Sequence, residues 1–116
     1  MSAAEQLIAV ATTDGKTVHQ HFGHVERFHI VAIGDTSYRY LEARDAPPAC
    51  NNFTHGEHSF DAVWRTIADC KAVVVGKIGY PAAAYLIGNG MRVFETVGMV
   101  DEILSQIVSE RLLNKE

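Results

Sequence analysis

The chain has 116 residues, 47% of them hydrophobic, with six histidines, two cysteines and a net charge of −4. That length and apolar content suit a single domain over residues 1–116 with a real core, and exclude a disordered tail. The ten Lys and Arg residues are scattered and outnumbered by fourteen Asp and Glu, so no basic patch is available for nucleic acid or for an anionic membrane surface.

Met1 to Gln6 carries no basic segment, and the apolar run behind it is too short for a secretory signal or a membrane span. A cytoplasmic location is expected. Cys50 and Cys70 are too few for a disulfide framework, so free thiols are expected in that reducing compartment. Leu7 to Ala11 reads as a buried strand closed by the turn residues Thr12-Thr13-Asp14-Gly15. Some ten irregular residues follow and include His19, His21 and His24. Phe28 to Ile33 is a second strand. Gly34-Asp35-Thr36 then turns the chain into a third, Ser37 to Ala43, paired antiparallel as a hairpin.

A long connection from Arg44 to His58 carries Pro47-Pro48, Cys50, His55 and His58, and connections of this length in small domains are usually functional or mobile. Phe60, Val63, Trp64, Ile67 and Ala68 then recur at helical spacing behind Ser59 as N-cap. Ala72 to Val75 has the continuous apolar character of a central parallel strand. Gly76-Lys77-Ile78-Gly79 leads from it into a short helix with Pro81 in its first turn and Gly88 or Gly90 as its stop. Met91 to Phe94 is a last strand. Val100, Ile103, Leu104, Ile107 and Val108 stripe a final helix that opens on Asp101 and Glu102.

The predicted order is β-β-β-α-β-α-β-α, an α/β domain with a mixed five-stranded sheet. If the second strand is antiparallel to the first, the third is parallel to it. The right-handed crossover through the first helix keeps the fourth parallel too. The histidine turn, the Cys50 connection and Gly76-Lys77-Ile78-Gly79 then leave one edge of the sheet, where open α/β folds tend to bind ligands.

Imidazole is the commonest metal ligand, so His21 and His24 in a Gly-containing turn are the first candidates. His19 reads as a surface residue and His29 as an ordinary strand histidine. Cys50, His55 and His58 add thiolate and imidazole donors, a set suited to zinc, copper or iron-sulfur chemistry, although without the paired spacing of structural zinc sites. Cys70 reads as a buried inert thiol. Gly76, Lys77 and Gly79 offer backbone amides and one positive charge to an anion, without the full P-loop pattern. No nucleophile elbow and no carboxylate cluster for a two-metal nuclease are present. The expectation is a binding protein and not an enzyme.

Ile8-Ala9-Val10-Ala11-Thr12, His21-Phe22-Gly23-His24, Phe28, Ile30, Ala68-Asp69-Cys70-Lys71-Ala72-Val73 and Gly79 together resemble the dinitrogenase iron-molybdenum cofactor biosynthesis family. That family includes NifX- and NafY-type carriers, the C-terminal domain of NifB and orange-protein-like stand-alone members. The resemblance covers about residues 6 to 110. It implies a ribonuclease H-like three-layer fold without nuclease activity. The cargo it implies is an anionic iron-molybdenum-sulfur cluster or its precursor, or a molybdenum-copper sulfide cluster, handled with cofactor-biosynthesis proteins as partners.

Within that resemblance His21 corresponds to the cluster-ligating histidine, with His24 as a second candidate, and Cys50 is nearest to the loop cysteine of NifB-like members. Here Asn51-Asn52 follows Cys50 in place of their Gly-rich pair. Two alternatives stay open on the residues alone. One is a mononuclear zinc or copper centre of Cys50, His55, His58 and His21. The other is a metal-free interaction module.

Overall fold

The computed structural model describes residues 5–46 and 57–114. Strands β1 (Gln6–Ala11), β3 (Arg27–Ile33), β4 (Tyr38–Asp45), β5 (Ala72–Val75) and β6 (Arg92–Glu95) form one mixed sheet in the order β4-β3-β1-β5-β6. Helices α1 (Glu57–Thr66), α2 (Tyr80–Gly88) and α3 (Val100–Ser109) flank it. Two short strands, β2 (Thr17–Val18) and β7 (Gly98–Met99), pair antiparallel with each other outside the main sheet.

Sequence patterning accounts for the five main strands. Ile8, Ala9, Val10 and Ala11 of β1 are at most 1% exposed, as a central strand covered on both faces requires. β1 is antiparallel to β3, which is antiparallel to β4, while β1, β5 and β6 are parallel. The alternation of side chains then divides the core. Ala9, Ala11, Phe28, Ile30, Val73 and Val75 pack with Val63 and Ile67 of the α1 segment and with Ala82 and Leu86 of α2. Ile8, Val10, Val31, Ile33, Ala72 and Val74 pack with Val100, Leu104, Ile107 and Val108 of α3. The result is three layers, helices on both faces of a sheet.

The expected order differs from the observed one by β2 and β7, giving β-β-β-β-α-β-α-β-β-α. Strands of two residues carry no alternation to read. Helix α1 begins at Glu57, ahead of the expected N-cap at Ser59. Helix α2 ends at Gly88 with Asn89 as its C-cap, and Gly90 follows with a φ of 91°, a conformation glycine takes without a Cβ clash. Among the described residues no helix is long and apolar enough to cross a membrane.

Strand direction is as expected. β1, β4, β5 and β6 run the same way, so their C-terminal ends share one rim.

Candidate functional site

The rim is built outward from the end of β1. Thr12 is buried, and its hydroxyl donates to Asp14 Oδ1 at 3.2 Å and accepts from the Gly15 amide at 3.1 Å. The same carboxylate oxygen accepts from the amides of Lys16 at 2.8 Å and Thr17 at 3.1 Å. These bonds, the Lys16 amide first, hold the Asp14 pKa down at about 2. The Lys16 carbonyl accepts from the Val100 amide at 2.8 Å, and Val18 of β2 is fully buried beside β7. The start of α3 and the approach to the histidines are thereby held together.

The chain then meets the exit of β5. The Gly76 amide donates to the Gln20 carbonyl at 3.1 Å, and the Phe22 amide to the Lys77 carbonyl at 2.7 Å, around a parallel bridge between His21 and Lys77. Gly76 is required by this approach. A Cβ there would lie 2.7 Å from the His19 carbonyl carbon and 2.9 Å from its Cα, closer than any relaxed contact. Phe22, 3% exposed, and Val25, 7% exposed, then anchor the turn in the core under α1 and α2.

Between those anchors, Phe22-Gly23-His24 makes one 3-10 turn with His21 as its cap. His21 Nδ1 accepts from the Gly23 amide at 3.2 Å, and the His24 amide donates to the His21 carbonyl at 2.8 Å. With Nδ1 engaged as acceptor, the neutral His21 ring carries its proton on Nε2. In that state it donates to an anion. It takes a metal at Nε2 only as the other tautomer, with the proton on Nδ1 and the Gly23 bond given up. The His24 ring lies edge-on to it, centroids 5.8 Å apart, and neither of its nitrogens has a hydrogen-bond partner among the described residues. Both rings are exposed. The Gln20 side-chain oxygen beside them is buried without a donor among the described residues.

The loop from Gly76 to Gly79 differs from its expected state of unpaired amides. Gly76 is bonded to Gln20, and the Ile78 amide donates to Glu95 Oε2 at 2.8 Å. Gly79 starts α2 without a side-chain cap, and the first turn holds no acidic residue, so the positive end of that helix remains open. Lys77 is exposed and in no ion pair among the described residues.

His21, His24, Gly76, Lys77 and Gly79 are thus on one rim, joined by backbone bonds. Cys50 and His55 lie outside the described residues, and so does the side chain of His58, in the first turn of α1. Among the described residues no three His, Cys, Asp or Glu side chains group closely enough to hold a metal ion. His19 is exposed. His29 is half-buried against Tyr40, ring centroids 5.2 Å apart, and desolvation first, then the Arg27 charge, lowers its pKa. Cys70 is 6% exposed. Burial first, then Asp69, raises its thiol pKa to about 12, which keeps it protonated and inert. Sequence reasoning missed Glu95, which no local pattern marks, and read Asp14 only as a turn residue.

A cleft of about 510 Å³ opens at the opposite end of the sheet, between the β3–β4 turn at Asp35 to Tyr38 and the end of α3 with the residues just after it, Ser105 to Arg111. No histidine or cysteine lines it.

A family described as dinitrogenase iron-molybdenum cofactor matches residues 5–110. The FeMo cofactor biosynthesis protein NifB of Frankia alni is 33% identical over 104 residues, covering 87% of this chain and 20% of that protein. The crystal structure of PH0822 superposes with a TM-score of 0.71 at 20% identity, covering 90% of this chain and 92% of the other. A Methanocaldococcus jannaschii protein described as a candidate dinitrogenase gives 0.60 at 14% identity, covering 93% and 91%. These two structures share the fold.

Proposed function

Because the chain belongs to the dinitrogenase iron-molybdenum cofactor family, we propose that it is a non-catalytic carrier which holds an anionic metal-sulfur cluster, or a precursor of one, on the histidine rim. The supporting observation is the bonding of the His21–His24 turn to Gly76 and Lys77, which brings donors for a metal and donors for an anion to one place. The three-layer scaffold beneath them is in keeping with a ribonuclease H-like class.

Each group then has a physical task. The lone-pair nitrogen of His24 replaces a labile terminal ligand on the cargo. His21 Nε2–H donates to a sulfide while its Nδ1 holds the Gly23 amide, and the ring becomes a second ligand through Nε2 when its proton shifts to Nδ1 and the Gly23 amide is released. Lys77 and the open end of α2 offset the negative charge. Exposed ligands on one rim exchange readily, as handing cargo to cofactor-biosynthesis partners requires. Cys50 is carried in this reading as an added thiolate ligand.

Isolation without oxygen, followed by metal and sulfide analysis, tests the proposal. Molybdenum or iron together with inorganic sulfide is expected in the native protein, and its loss in the His21→Ala/His24→Ala variant. One zinc per chain without sulfide, or full retention of cargo by the double variant, overturns it.

A further inference from the structure

Glu95 is the last residue of β6, paired in register with Val75 at the end of β5. Its carboxylate therefore projects over the loop that continues β5, and it accepts the Ile78 amide at 2.8 Å. This amide belongs to the same Gly76–Gly79 segment that carries Lys77 and opens α2. An intramolecular anion thus already occupies part of the surface that the carrier reading assigns to an external one.

Two further facts set the consequence. The Glu95 side chain is exposed and in no ion pair among the described residues, so only the amide bond holds it there and it rotates away at little cost. Its charge also opposes that of Lys77, leaving the loop close to neutral while the carboxylate is in place. An incoming anion meets this negative charge and competes for the amide.

Resting on the carrier reading, we infer that Glu95 is an internal competitor for anionic cargo: its carboxylate occupies the Ile78 amide in the empty protein, gives it up when a metal-sulfur anion binds, and recaptures it on release. Glu95 sets how tightly cargo is held. It is a specificity residue against weakly charged ligands and a device that keeps transfer reversible.

Tetrathiomolybdate, a molybdenum-sulfur dianion, is a suitable probe for anaerobic equilibrium titration. Glu95→Gln keeps an oxygen for the Ile78 amide but removes the charge, and should bind the probe on the order of tenfold more tightly than the native protein, with a slower off-rate. Glu95→Ala, which frees the amide altogether, should bind at least as tightly as Glu95→Gln. Glu110→Gln, the same change in net charge at the far end of α3, should leave binding unchanged. A zinc ion offered in place of the dianion should gain nothing from Glu95→Gln.

Equal or weaker binding of tetrathiomolybdate by both Glu95 variants, with native protein binding it, overturns the competitor role and leaves the carrier reading intact. An equal gain from Glu110→Gln also overturns it, since net charge alone would then explain the effect. Failure of all the proteins to bind the probe overturns both. Circular dichroism of each variant confirms that the fold is retained.

Discussion

Gly76 carries the tightest packing constraint on the rim, because the His19–Gln20 backbone lies where its Cβ would be. Backbone cannot rotate aside as a side chain can. Gly76→Ala should therefore cost about 1–3 kcal/mol and loosen the histidine turn, read as faster hydrogen exchange at the Phe22 amide than in the native protein. A variant with native stability and native Phe22 protection would show that this approach is not close in solution. Asp14 acts differently, through charge. Its pKa is depressed from 3.8 to about 2 in the folded chain, so its contribution is present above about pH 4 and is lost as pH falls toward 2. The difference in Tm between the native protein and Asp14→Asn should narrow over that interval; a constant difference down to pH 2 would contradict the assignment. Cys70, with its thiol pKa raised to about 12, should resist alkylation at pH 8 until denaturant is added. His21, His24, Gly76, Lys77 and Gly79 were legible as candidates from residue type and turn chemistry. The Nδ1–Gly23 bond and the Glu95–Ile78 bond were not, since both depend on where separate segments come to lie.

At the scale of elements, the edge strand β4 is clamped to the far end of α1. Arg44 donates to both carboxylate oxygens of Asp69 at 2.8 and 2.9 Å, to the Thr66 carbonyl at 2.9 Å and to Glu42 at 2.7 Å. The paired Asp69 carboxyl is held below its usual range, chiefly by the Arg44 hydrogen bonds, and the Arg44 pKa is raised, first by Asp69. Because the pair is partly exposed, Arg44→Ala should cost roughly 1 kcal/mol, a fall of about 4 °C in Tm, with smaller effect at high salt. No change would mean that the bidentate geometry is not populated. The α1 segment and α3 were legible because each buries a face with a helical period, Val63 with Ile67 and Val100 with Leu104, Ile107 and Val108, and β5 because it is apolar throughout. β2 and β7 were not: only Val18 hints at them, and their pairing joins residues about eighty positions apart in the sequence, a contact no local pattern encodes.

For the whole molecule, parallel travel of β1, β4, β5 and β6 gathers the histidine turn, the exit of β4 and the loop into α2 at one rim, while the cleft beside Ser105 and Arg111 lies at the other. That arrangement is legible in the sequence from the crossovers alone, because strand direction is topological and survives errors in element boundaries. The location of the binding surface is the central claim, and amide chemical-shift mapping during anaerobic addition of tetrathiomolybdate tests it most directly. Shifts are expected to concentrate at His21 to His24, at Lys77 to Tyr80 and at Glu95. Shifts concentrated instead at Asp35 to Tyr38 and Ser105 to Arg111, with the histidine turn unmoved, would contradict it.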